Sequence, residues 1–204
     1  MTFRERVERV LGADAGLARE HWGRLEALDA LVVKWSKAVD LTGFRSEDVR
    51  VRRYFAESLA AVQHLPERGA ALDIGSGGGS PALPLAVVRP EMTFSLVESN
   101  QRKAAFLEEA ARSLGLNNVT VHAQRFEALL GAGLVDVVTV RGVAMVSGLR
   151  VAIRRHLRPD GQLFWFSSRE RLSAAVSSFD GAEPRLERLV GGGGCLLVVR
   201  RAAL

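Results

Sequence analysis

A single cysteine, Cys195, stands in this chain of 204 residues. That excludes a disulfide framework and any zinc or iron–sulfur site built from several thiolates. The four histidines, His21, His64, His122 and His156, have neither HxxxH nor HxH spacing, so no histidine metal centre is expected. No stretch approaches the roughly 18 apolar residues of a membrane span. The opening residues MTFRERVERVLGADAG mix acids with arginines and have no apolar centre, so they do not read as a secretory signal. The expected setting is reducing and cytoplasmic. Lysine is scarce as well: Lys34, Lys37 and Lys103 are the lysines among 28 basic residues, and the other 25 are arginines.

Charge is present but uneven. The net formal charge is +5. Residues 1–66 carry +1, residues 67–139 carry −2 and residues 140–204 carry +6. A polyanionic partner is compatible with this, although net charge speaks only to nonspecific attraction. Arg45, Arg50, Arg52 and Arg53 form the densest basic cluster outside the last third. They are candidate RNA-phosphate contacts, or else a solvated helix face. Few exposed aromatics are expected near them, so base stacking on the protein has little support from sequence.

The hydrophobic rhythm divides the chain into a helical extension over 1–66 and an alternating strand–helix region over 67–204. Leu25, Leu28, Leu31, Val32 and Trp35 recur at helical steps within Leu17–Lys37. Ser46 caps a further helix that runs to about Leu65. Strands are expected at 70–74, 93–98, 119–123, 135–140 and 162–167, with helices between them. A glycine-linked hairpin of 185–190 and 195–201 follows. Ser80 is the expected N-cap of a helix over 80–88 with Pro81 in its first turn, and Pro159 is the expected stop after a helix over 147–157. Alternation of this kind implies a mostly parallel sheet with right-handed crossovers. A hairpin with a reversed last strand makes it a seven-stranded, Rossmann-like α/β sheet of the class I methyltransferase type.

The sharpest local signal is Leu72-Asp73-Ile74-Gly75-Ser76-Gly77-Gly78-Gly79-Ser80-Pro81, after a strand and before a helix. Glycine lets the backbone approach a ligand, and a helix start presents free N–H groups to it. The dinucleotide fingerprint needs glycine where Ser80 stands. An acid two residues before the first glycine repels a pyrophosphate and attracts the ammonium of a methionine moiety. The pattern therefore favours S-adenosylmethionine over NAD, with Asp73, Gly75, Gly77, Gly79 and Ser80 as cofactor-binding candidates. Glu98, at the end of the second strand, is placed to accept ribose hydroxyls, or is a solvated strand-end acid. Phe126 and Glu127 are candidates for the adenine side, and Phe126 reads equally as core.

Two further absences narrow the reaction. The [DN]-P-P-[YF] motif of amino-group methylation is missing after the fourth strand, where Val140-Arg141-Gly142 stands. A thiol nucleophile for pyrimidine C5 chemistry is missing too, because Cys195 lies inside an apolar strand. Both absences suit an acceptor such as guanine N7, which attacks through a free lone pair. Catalysis is then positioning and a complementary field. Arg141 is the one candidate catalytic group, holding either a methionine carboxylate or guanine O6, or else serving as a surface arginine.

These residues resemble the GidB/RsmG family, the guanine-N7 methyltransferases of bacterial small-subunit ribosomal RNA. The resemblance runs from about Lys34 to Leu149. It rests on Lys34-Trp35-Ser36, Asp40-Leu41-Thr42, Glu57-Ser58-Leu59, the glycine loop with Pro84, Val97-Glu98-Ser99, Arg102-Lys103, Phe106-Leu107, Arg125-Phe126-Glu127 and Val140-Arg141-Gly142. It implies cofactor contacts at Gly75, Ser80, Phe126, Glu127 and Arg141. It implies a stem-loop of 16S rRNA in the small subunit as substrate. Apart from the resemblance, a monomer with no metal and no membrane partner is expected. The chain departs from the family at Asp40 (usually Asn), at Tyr54 and Glu57 (usually His and Asp), at Gly78 (usually Pro), and around Arg141 (usually Ser-Arg-Ala). The Lys-Gly after the fifth strand is replaced by Phe166-Ser167-Ser168-Arg169. Another RNA or a small molecule as acceptor, a nicotinamide oxidoreductase, and a cofactor-binding protein without turnover are the rival readings.

Overall fold

The computed structural model describes residues 1–12, 17–41, 43–44, 46–129, 133–179, 184–190 and 194–204. Thr42, Arg45 and Gly191–Gly193, which the sequence reading used, lie outside the described residues. Seven strands, β1 (Gly69–Ile74), β2 (Met92–Val97), β3 (Val119–His122), β4 (Val135–Arg141), β5 (Leu157–Ser167), β6 (Arg185–Arg188) and β7 (Cys195–Arg200), form one sheet of order β3-β2-β1-β4-β5-β7-β6. The first five are parallel, and β7 runs antiparallel to both β5 and β6. The order reverses at β1 and β4. An open α/β sheet places its ligand crevice at such a switch point, beyond the carboxyl ends of the strands.

Alternation of side chains along the strands feeds two cores, one on each face. Ala71, Phe94, Leu96, Val137, Phe164 and Phe166 point to one face, where the N-terminal helices α1 (Phe3–Leu11) and α2 (Arg19–Trp35) pack together with α5 (Ala82–Val88) and α6 (Gln101–Ser113). Leu72, Ile74, Val138, Val140, Leu163 and Trp165 point to the other, under α7 (Ser147–His156) and α8 (Arg169–Val176). Cys195 is buried on that second face. None of the described helices is long and apolar enough to cross a membrane.

Several helix ends follow from their caps. Ser46 Oγ accepts from the Val49 N–H at 3.3 Å, and Asn100 Oδ1 accepts from Arg102 and Lys103 at 3.0 and 3.2 Å. Gly115, at φ +62°, lies just beyond α6. The stretch that Ser46 opens is not one regular helix. Short α-helical turns α3 (Glu47–Arg50) and α4 (Glu57–Ala60) flank a π-helical turn over Val51–Ala56, and a 3₁₀ turn over Ala61–His64 closes the run. At two places the expectation fails. Ser80 does not cap α5, which begins at Ala82 after Pro81 and has no side-chain cap. The strand after α7 begins at Leu157, not at 162: Leu157 pairs with Val135 and Gln162 with Val137, so residues 158–161 bulge from the ladder. Pro159 sits in that bulge, where its missing N–H costs no ladder bond.

Candidate active site

The loop from Gly75 to Ser80 turns over the carboxyl end of β1. Gly75, Gly77 and Gly79 all have left-handed φ, at +68°, +53° and +88°. They do different jobs. A Cβ at Gly79 would lie 2.4 Å from Leu83 Cδ1 and 3.1 Å from Leu107 Cδ2, so this glycine lets the loop seat against α5 and α6. A Cβ at Gly75 would strike Val143 at 2.7 Å. At Gly77 nothing is nearer than the Gly75 carbonyl, at 3.7 Å, so this glycine leaves open space above the loop. The Gly75 and Ser76 amides donate to the Val97 carbonyl at 2.9 and 3.0 Å, which ties the loop to the end of β2.

Glu98 extends that tie. Its Oε2 accepts from the Gly77 N–H and its Oε1 from the Asn100 N–H, both at 2.7 Å. The acid expected to meet a ligand thus also shapes the glycine loop. Asp73 is buried, and its Oδ1 accepts from Thr139 Oγ1 on the neighbouring strand. Its Oδ2 is buried with no hydrogen-bond partner in the protein. Burial raises the Asp73 carboxyl from an ordinary 3.8 to about 6, against the lowering effect of the hydroxyls of Thr139 and Ser76 and of the Arg141 charge. The native state therefore holds this proton where the unfolded chain has released it. Stability should fall as pH rises from about 4 to 6 and stay lowered above that. At roughly 1.4 kcal/mol per unit the cost is about 3 kcal/mol. Asp73→Asn should flatten this stretch of the profile, as read from denaturation midpoints between pH 4 and 7. A slope equal to that of the wild type would assign the effect to another group.

At the end of β4, Arg141 is enclosed. Its Nη2 donates to Glu57 Oε2 at 2.8 Å, and its Nη1 to Ser80 Oγ at 3.1 Å and to the Arg53 carbonyl. Its guanidinium lies over the Phe166 ring at 4.8 Å. Glu57 is 1% exposed, and burial raises its carboxyl despite the adjacent arginine. Gly194 packs so closely on this carboxylate that a Cβ would lie 2.5 Å from Oε1. Two carbonyls of the π-helical turn, those of Arg53 and Tyr54, accept from side-chain donors. Tyr54 O accepts from Ser58 Oγ at 2.7 Å and from Ser80 Oγ at 3.2 Å, while Tyr54 Oη donates to the Gly78 carbonyl at 2.6 Å. The hydroxyl of Ser80 is thus taken by tertiary partners, which is why it does not cap α5.

Two hollows meet at Gly75. The smaller, about 300 Å³, is walled by Ile74, Val97, Ser99, Phe126, Glu127 and Val143 among others. Phe126 is 9% exposed, packs in the core beside His156 at 5.3 Å, and also lines this hollow. The larger, about 430 Å³, lies between the glycine loop, Leu41, Phe44, Arg53, Glu57, Arg141, Phe166 and Arg171. The basic cluster does not act as one surface. Arg50 turns inward, with Nε and Nη2 donating to the two oxygens of Asp29 at 2.6 and 3.1 Å. Its guanidinium is therefore spent on joining α3 to α2. Arg52 is half-buried and its Nε has no acceptor. Arg53 is exposed, over the Phe44 ring at 5.3 Å.

Sequence reasoning missed Tyr54, Glu57, Thr139 and Phe44. A signal existed for the first two. Tyr54, Glu57 and Ser58 stand at i, i+3 and i+4, a polar stripe that faces the loop and not water.

Known proteins are similar to this chain in sequence and in fold. The family described as "GidB: rRNA small subunit methyltransferase G" matches residues 23–179. A protein named ribosomal RNA small subunit methyltransferase G from Halorhodospira halophila is 37% identical over 188 residues, 89% of this chain and 88% of that one. Its namesake from Xanthomonas axonopodis is 37% identical over 75% of this chain and 77% of its own length. Among solved structures, a SAM-dependent methyltransferase from Aquifex aeolicus superposes with a TM-score of 0.59 at 14% identity, covering 82% of this chain and 96% of its own. A 16S rRNA N2 G1207 methyltransferase from T. thermophilus, in complex with AdoMet and guanosine, gives 0.56 at 20% identity over 71% of this chain and 42% of its own. At these identities the two structures speak to the fold alone.

Proposed function

This chain belongs to the GidB family of rRNA small subunit methyltransferases G, and from that premise we propose that it methylates N7 of a guanine in 16S rRNA within the cytoplasmic small subunit. The cofactor is S-adenosylmethionine, which supplies an electrophilic methyl group carried on a sulfonium. The residues present suit it. Asp73 keeps a buried, unpartnered oxygen beneath the loop, and Gly77 leaves the space above it free. Glu98 retains lone pairs for ribose hydroxyls beside those given to Gly77 and Asn100. Phe126 and Glu127 bound the smaller hollow on the adenine side.

The observation that carries the N7 reading is the make-up of the larger hollow. Its lining includes three arginines, Arg53, Arg141 and Arg171, and one acid, Glu57, which is ion-paired to Arg141. Among the described residues no histidine, lysine, cysteine or tyrosine lines it, so none of their side chains is free there to take a proton from an acceptor. A ring nitrogen that attacks through its lone pair needs none. The protein then works by alignment: Arg141, held on four sides, fixes one edge of the reaction space. The helical extension of residues 1–66 contributes Leu41, Phe44, Arg53 and Glu57 to the acceptor wall, and the sheet region contributes the rest. The test is transfer of labelled methyl from S-adenosylmethionine to small subunits that lack the modification, followed by nucleoside analysis of the 16S rRNA. Label in 7-methylguanosine is the expected result. Label in any other nucleoside, or only in protein or metabolites, would refute the assignment.

A further inference from the structure

We propose that Phe44, with the Arg53 guanidinium laid against its ring, is the platform on which the acceptor base stacks once it leaves the RNA helix. The inference rests on the function proposed above and identifies the residue that receives the base. A nucleotide buried in a stacked stem must be turned out before its ring nitrogen meets a methyl donor, and the stacking it loses must be replaced by the protein. Among the described residues, two aromatic rings line the larger hollow. Phe166 is 1% exposed and already covered by Arg141. Phe44 is only half-buried, lines the hollow beside Leu41 and Gly43, and carries Arg53 at 5.3 Å. A phenyl ring joined to a guanidinium plane offers two π surfaces on which any purine can lie, with a cation for its phosphate. Arg171, exposed on α8, adds a second cation to the lining. The ring is not placed to serve the donor's adenine, because Phe126 and Glu127 line a separate hollow on the far side of Gly75.

The experiment uses the full chain, unmodified small subunits as acceptor, and three variants, Phe44→Ala, Phe44→Leu and Phe44→Trp. Steady-state kcat/KM for the subunit is measured beside the calorimetric Kd for S-adenosylmethionine. Loss of a base–aromatic stack predicts a fall of roughly 10- to 100-fold in kcat/KM for Phe44→Ala. The Kd for the cofactor should stay within about twofold of wild type, which also reports that the variant is folded. Phe44→Trp should hold kcat/KM within a few fold of wild type, and Phe44→Leu should lose most of what alanine loses. Equal efficiency of the leucine and tryptophan variants would overturn the proposal, since packing alone would then explain the residue. So would an unchanged Phe44→Ala, or a loss of cofactor affinity matching the loss of kcat/KM. Failure of the underlying function is read separately, from the wild type: no methyl reaching N7 in any RNA would remove the acceptor itself.

Discussion

Valine at position 77 should give a folded protein that no longer binds S-adenosylmethionine. The argument turns on where a side chain at each glycine of the loop would go. Gly77 has φ +53°, so a β-branched residue there is strained, at a cost of about 1–3 kcal/mol. No atom obstructs it: the nearest to a Cβ is the Gly75 carbonyl, at 3.7 Å. The isopropyl group would therefore stand in the open space above the loop, and the strain would pull at the amide that donates to Glu98. Calorimetry should show a Kd raised by at least about 100-fold, or roughly 2.7 kcal/mol of binding. Melting should move by only a few degrees, and adding cofactor should no longer raise it. Gly79→Val makes the contrast. Its Cβ would meet Leu83 at 2.4 Å and Leu107 at 3.1 Å, so this variant should lose the packing of α5 and α6, and its melting temperature should fall whether or not cofactor is present. Cofactor affinity within tenfold of wild type in Gly77→Val would remove this position from the site.

The glycine loop could be read in the sequence because all its determinants are local: an apolar strand, closely spaced glycines, a proline and a helical period. The same holds for the helix start set by Ser46, whose cap uses a neighbour three residues on. What stayed hidden depended on partners far along the chain. Arg50 reads as a solvent-facing cation until Asp29, 21 residues earlier, is seen to hold both of its donating nitrogens. Ser80 has the composition of an N-cap, yet Tyr54 and Arg141 take its hydroxyl. Glu57 looks like any helical acid, because nothing nearby says that Arg141 will arrive from β4, 84 residues later. Phe44 lies in an aperiodic link between helices, where no periodicity assigns it a side. The early start of β5 was concealed by Pro159, which reads as a stop but sits in a bulge that lets the ladder resume.

The pair formed by Glu57 and Arg141 yields the largest expected effect on stability, and it separates two roles of the arginine. Both side chains are largely withdrawn from water, at 2% and 14% side-chain exposure. Such a pair gains little over a neutral substitute, but removing one member strands the other charge in a poorly solvated place. Arg141→Gln and Glu57→Gln should therefore each cost about 3–5 kcal/mol in denaturant unfolding. Gln at position 57 can still accept from a donor, so it should fall at the lower end of that range. In the double variant no charge is stranded, and the loss should be smaller than the sum of the two by about 2 kcal/mol or more. Strict additivity would mean that the two charges are solvated independently and that the enclosure by Ser80, the Arg53 carbonyl and Phe166 is not maintained in solution. Activity should not follow stability back. The double variant recovers stability but has no guanidinium in the wall of the larger hollow, so methyl transfer should remain at least about 100-fold down. If transfer recovered along with stability, Arg141 would be a strut of the acceptor wall and nothing more.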